Sequence, residues 1–236
     1  MKDIFKLFVI VSFVVLALLS PAGAELVVED SIALRGTAHM LKVKTMGRFF
    51  PIGGELVEFF ADDVSIGKNL SGGDGRALKE FLPVHRGIYR ISAVSGKDRG
   101  SGLLLALDNG EGIVFVDVEG TLSDGVFPMK PGKGAQDFIT RVSERYPLIY
   151  LSTKLDAGLL KVWLKKYNLT DAPVLDWREG DLFDDIVGLG LKIRAVIGAP
   201  PVIETAREHT SVIFSFDEVE GAEEISGWDQ LEDKIK

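Results

Sequence analysis

The stretch Gly112-Ile113-Val114-Phe115-Val116-Asp117-Val118-Glu119-Gly120-Thr121-Leu122 decides how this chain is read. Its apolar run, rich in β-branched and aromatic residues, predicts a buried strand that ends on two acids and a Gly-Thr turn. Side chains alternate along a strand, so acids at i and i+2 are expected to point the same way as the strand runs out. Open α/β sheets bind ligands at the carboxyl ends of their strands. Asp117 is therefore a candidate nucleophile and Glu119 a candidate general acid/base. The competing reading is a strand that ends in a solvated acidic turn, capped by Asp117 or Thr121.

Downstream, the pattern alternates. A helical pattern over 135–146 is followed by the strand Leu148-Ile149-Tyr150-Leu151 and a helix over 156–167 with Leu159, Leu160, Trp163 and Leu164 on one face. A short strand at Pro173-Val174-Leu175, a helix over 181–189, a strand over 193–197, a helix over 202–209 and a strand over 211–216 complete the series, with a last helical turn over 228–235. Strand alternating with helix at this spacing means a parallel sheet covered on both faces.

Upstream, the grammar is different. Met40–Val43, Leu56–Phe60, Leu78–Phe81, Ile88–Val94 and Gly102–Leu107 are short strands between glycine-rich turns, the pattern of an all-β sandwich of immunoglobulin-like type. Ser71-Gly72-Gly73-Asp74-Gly75-Arg76 lacks the Gly-Lys-Ser/Thr ending of a phosphate loop and reads as a β-turn. The polar stretch Asp108–Gly112 marks the boundary, which makes residues 25–110 one unit and 111–236 the other.

The first 24 residues read as a secretory signal. Lys2 and Lys6 precede an apolar run from Leu7 to Leu19, and Ser20-Pro21-Ala22-Gly23-Ala24 supplies small residues for cleavage before Glu25. The expected mature protein is secreted or periplasmic, with no stable membrane span once the signal is cut. The chain has no cysteine, so an exported form rests on its core without disulfides. A net charge of −8 and the lack of any basic run argue against nucleic acid as a partner. Cysteine nucleophiles are excluded, no Gly-x-Ser-x-Gly elbow is present, and His39, His85 and His209 are scattered.

Strand, then Asp117-x-Glu119-Gly120-Thr121-Leu122, resembles motif I of the haloacid dehalogenase (HAD) superfamily of phosphohydrolases over residues 112–236. The family's usual second acid is Asp, and Glu occurs in some phosphatase members. The resemblance implies that Asp117 forms an aspartyl-phosphate and that Glu119 moves the proton. It further implies that Thr121 and Ser152, the latter at the end of the second strand, contact substrate. Lys154 or Arg178 would neutralise the phosphoryl group. Mg²⁺ would be held by Asp117, Glu119 and Glu204. The segments 148–154, 158–164 and 172–175 resemble the lipin-type (LNS2) branch in particular. Where the family writes Gly-Asp and a further acid, this chain has Gly198-Ala199-Pro200-Pro201-Val202-Ile203, with Glu204 the one carboxylate left. The short connection after motif I leaves no room for a large cap, which suits a phosphorylated small molecule, a lipid head group or a macromolecule. Two functions follow: an exported phosphohydrolase of reduced activity, or a catalytically inactive HAD-fold binding or scaffold protein of the cell envelope.

Overall fold

A computed structural model describes residues 25–123, 130–177, 181–231 and 234–235. Residues 1–24, expected to be a signal, and Arg178 lie outside the described residues.

Eight strands build the first unit: β1 (Glu25–Val28), β2 (Ser31–Leu34), β3 (His39–Met46), β4 (Leu56–Ala61), β5 (Val64–Leu70), β6 (Arg76–Phe81), β7 (Gly87–Ser95) and β8 (Asp98–Leu107). They form two sheets, β1-β3-β6 and β2-β8-β7-β4-β5. Strict alternation drives the packing of β7, where Tyr89, Ile91 and Ala93 are buried while Ile88 is exposed. With Leu41, Val43, Val57 and Phe59 they fill the space between the sheets. The 71–75 turn carries the chain from β5 in one sheet to β6 in the other, with Gly75 at a φ of 76°. β1, β2 and β5 have no clear alternation in sequence, and partner strands supply their order. β2 runs parallel to β8, with Ile32 opposite Leu105.

The second unit is a six-stranded parallel sheet. Its strands are β9 (Gly112–Asp117), β10 (Leu148–Ser152), β11 (Val174–Asp176), β12 (Lys192–Ile197), β13 (Ile213–Ser215) and β14 (Glu223–Glu224), ordered β11-β10-β9-β12-β13-β14. Among the described residues four α-helices cover it: α1 (Ala135–Arg145), α2 (Ala157–Lys166), α3 (Asp181–Gly188) and α4 (Pro200–Ala206). Glu223 and Glu224 pair with Phe214 and Ser215, so these exposed acids form an edge strand.

Side-chain parity sorts the central strands onto two cores. Val114, Val116, Leu148 and Tyr150 face one side, against Phe138 and Ile139 of α1 and Leu160, Trp163 and Leu164 of α2. Leu159 is exposed, about 100° around the helix from Leu160, which corrects the expectation that both share the buried face. Ile113, Phe115, Ile149 and Leu151 face the other side, against Phe183 and Ile186 of α3 and Val202 and Ile203 of α4. Ile32, Leu105 and Leu107 of the sandwich belong to this second core. The units are therefore welded by shared apolar burial across the turn at 108–111. Asp30 adds a polar tie, its carboxylate accepting from Leu103 N–H (2.7 Å) in the sandwich and from Val174 N–H (2.8 Å) and Lys161 Nζ (2.7 Å) in the α/β unit.

Candidate functional site

The strand order reverses direction between β9 and β12, and the crevice outside their carboxyl ends is where an open α/β sheet binds ligands. Asp117 closes β9 at that point. Immediately after it the chain winds into a wide helical turn, Val118–Leu122, in which Ser123 N–H reaches back five residues to Val118 O (3.2 Å). Glu119 is thus on a turn, not on the strand that the sequence pattern extended through it.

Both carboxylates nevertheless converge. Asp117 Oδ1 accepts from Gly120 N–H (2.9 Å), and its Oδ2 accepts from Ala199 N–H (3.2 Å) at the start of α4. Glu119 Oε2 accepts from Thr153 N–H (2.9 Å), while its Oε1 accepts from Lys154 N–H (3.0 Å) and Leu155 N–H (2.7 Å). The Thr153 hydroxyl lies between the two, 3.4 Å from Asp117 Oδ1 and 3.2 Å from Glu119 Oε2. Three successive N–H groups in one turn make a cradle for an anion, and here Glu119 fills it.

Parity explains why Thr153 and not Ser152 arrives there. Leu151 is level with Asp117 in the β9–β10 ladder, so the two point to the same face of the sheet. Thr153 continues that row, whereas Ser152 points to the opposite face. Ser152 is buried and its hydroxyl donates to Leu155 O (2.5 Å), which closes the turn after β10. Thr121 is likewise turned inward, its hydroxyl donating to Asp117 O (2.6 Å). Lys154 contributes its backbone N–H, and its side chain is exposed. Sequence alone could not choose Thr153 over Ser152, because only the offset between the two strands fixes the parity. The N–H groups of Ala199 and Leu155 left no trace in it either, since any residue supplies one.

Glu204 does not join the carboxylates. It lies on the exposed side of α4, where Val202, Ile203 and Ala206 take the buried side. Among the described residues no group of three or more His, Cys, Asp or Glu is placed to hold a metal ion. The oxygens present also fit Mg²⁺ poorly. That ion needs oxygen ligands in octahedral array, yet all four carboxylate oxygens of Asp117 and Glu119 already face N–H donors, whose positive ends repel a cation. Ala199 and Ile203 offer no side-chain oxygen in place of the acids expected there.

The electrostatics suit a closed site. Asp117 is 0% exposed. Burial is the main cause that pushes its carboxyl above the usual carboxylate range, and nearby Glu119 adds to it, while the bonds from Gly120, Ala199 and Thr153 oppose it. Packing is tight, because a Cβ at Gly120 would stand 2.1 Å from Asp117 Oδ2 and 2.6 Å from the Ala199 Cβ. Asp117 and Glu119 thus staple three loops, those beginning at 118, 153 and 198, to one another.

No protein-family model matches the chain, and no curated protein matches it. Among solved structures it is similar to the CARDB domain of PF1109 from Pyrococcus furiosus, at 12% identity over 36% of this chain and 94% of that one, with a TM-score of 0.28. It is also similar to the D0-D1 domain of intimin, at 18% identity over 36% of this chain and 50% of that one, with a TM-score of 0.27. A sialyltransferase from Photobacterium damsela matches at 12% identity over 80% of this chain and 42% of that one, with a TM-score of 0.22. All three are too remote for an activity to be carried over.

Proposed function

We propose that the α/β unit is a HAD-like phosphohydrolase fold that no longer turns over phosphate esters, and that the protein serves as an exported binding or scaffold protein of the cell envelope. The HAD-like reading is supported by the strand order, by Asp117 at the end of the central strand, and by Glu119 and a hydroxyl from the neighbouring strand beside it. One observation carries the non-hydrolytic reading: the Glu119 carboxylate sits in the N–H cradle of Thr153, Lys154 and Leu155. A phosphoryl group entering there would have to displace a carboxylate of the chain itself. Asp117, as nucleophile, would have to emerge from complete burial, and the acids that would bring Mg²⁺ to offset the meeting of two anions are missing.

What remains is a rigid platform. The carboxylates that would act on a ligand instead hold the loops in one arrangement, and the sandwich is fixed to that platform by a shared core.

Phosphatase assays on a generic phosphate monoester, with and without Mg²⁺, test this on the wild type and on Asp117→Asn. Equal background from both supports a non-hydrolytic protein. Mg²⁺-dependent turnover that disappears in Asp117→Asn would restore the aspartyl-phosphate mechanism. A second arm uses Glu119→Ala, which frees the cradle and is expected to bind inorganic phosphate more tightly than the wild type. Equal binding would mean that Glu119 does not close the site.

A further inference from the structure

The loop over 47–54, Gly-Arg-Phe-Phe-Pro-Ile-Gly-Gly, joins β3 to β4 at the end of the sandwich away from the α/β unit. It is held firmly. Gly47 N–H donates to Phe50 O (2.8 Å), Ile52 N–H to Thr45 O (2.9 Å), and Gly54 N–H to Ser71 O (2.8 Å). The buried Thr45 hydroxyl donates to Gly75 O (2.9 Å) and also contacts Ile52 O, which ties this loop to the 71–75 turn. Gly53 lies so close to that turn that a Cβ would stand 2.4 Å from Gly72 O. Yet this ordered loop turns its two phenyl rings outward: Phe49 is 74% exposed and Phe50 77%. Arg48 lies over the Phe49 ring at 5.3 Å and is the one charged residue of the loop, in a chain whose net charge is −8.

The register of β1 says what lies beside this tip. Glu25 pairs with Met46, one residue before the loop begins. The chain therefore reaches its first described residue at the same end of the sandwich. Before the expected cleavage after Ala24, five residues separate the apolar run Leu7–Leu19 from Glu25, and they can span no more than ~20 Å. β8 likewise runs away from this end, from Asp98 to Leu107, where the α/β unit starts.

We propose that the tip formed by Arg48, Phe49 and Phe50 is a lipid-contact loop, its phenyl rings seated in the interfacial layer of a bilayer while the α/β unit is held away from the surface. Apolar Phe side chains beside a cation suit the boundary between acyl chains and head groups, as on interfacial helices. A folded protein partner fits less well. Two phenyl side chains bury about 300–500 Å² at most, whereas a stable protein interface takes about 800 Å² from each partner. A bilayer needs no such complementary surface. The proposal is independent of whether the HAD-like site turns over.

The lack of native cysteine makes the test direct. Phe50→Cys and, separately, Val162→Cys on the exposed side of α2 are labelled with an environment-sensitive dye in the full chain. Each is reconstituted with phosphatidylcholine vesicles, with or without phosphatidylglycerol, containing nitroxide-labelled lipid. The expected result is a blue shift and severalfold stronger quenching at position 50 than at 162. Equal quenching at both positions, none at position 50, or a blue shift at 50 without lipid would overturn the proposal. The last outcome would place a second copy or another protein on the tip. Phe49→Ser/Phe50→Ser, whose changes are confined to exposed side chains, gives a second readout. In residues 25–236 it is expected to lose roughly tenfold or more of the vesicle partitioning shown by the same span of wild type. Unchanged partitioning would equally refute it.

Discussion

Removing Asp30 is expected to loosen the joint between the two units. Its side chain is 1% exposed, whereas Lys161 keeps 29% of its own in solvent. Asp30→Ala strands two part-buried backbone donors, Leu103 N–H and Val174 N–H, at about 1–3 kcal/mol each. The partly exposed Lys161 ammonium turns to water at little further cost, so the total is about 2–6 kcal/mol. Asp30→Asn keeps one acceptor oxygen but presents an amide N–H₂ to a donor, and about 2 kcal/mol is expected. Lys161→Met should cost less than Asp30→Ala, because both backbone bonds survive it. Because the donors belong to different units, Asp30→Ala should also reduce the m-value or split the single unfolding transition in two. Urea titrations at neutral pH, followed by tryptophan fluorescence and far-UV circular dichroism, measure both effects. An Asp30→Ala midpoint within about 0.5 kcal/mol of wild type, with the slope unchanged, would refute the reasoning.

Four further outcomes follow from the same geometry. Gly120→Ala should cost about 2–3 kcal/mol and displace the Asp117 carboxylate, since its Cβ would overlap Asp117 Oδ2. Gly73→Ala, with nothing within 4 Å of the added Cβ, should leave the melting temperature within a degree or so. Because burial raises the Asp117 carboxyl above its unfolded value, the native state binds the extra proton in the window between those two values. Stability contributed there falls as pH rises through that window, so wild type should lose ground to Asp117→Asn as pH rises from the ordinary carboxylate value through the raised one. A free-energy difference that is flat or moves the other way in unfolding titrations would contradict this. Phe183→Ala removes a fully buried ring set edge-on to Phe115 at 5.3 Å, and about 3–5 kcal/mol should vanish from the unfolding free energy.

The alternation of strands with helices after Gly112 and the short strands before it were legible in the sequence because hydrophobic period and turn chemistry are local properties. They specify a β-sandwich followed by a parallel sheet, and they put Asp117 at a strand end. Local pattern could not find β2, whose order depends on pairing with β8, or β14, which exists only as a partner for β13. The same limit applies at the site. Sequence brings Asp117 and Glu119 close, but the offset of β10 against β9 selects Thr153 over Ser152, and a one-residue change of register would have reversed that choice. The cradle around Glu119 consists of backbone N–H groups, identical in every residue but proline, so only the path of the folded chain shows that they meet one carboxylate. Composition and period determined the two units of this protein; the distances between segments remote in sequence decided that its two acids face donors of the chain itself.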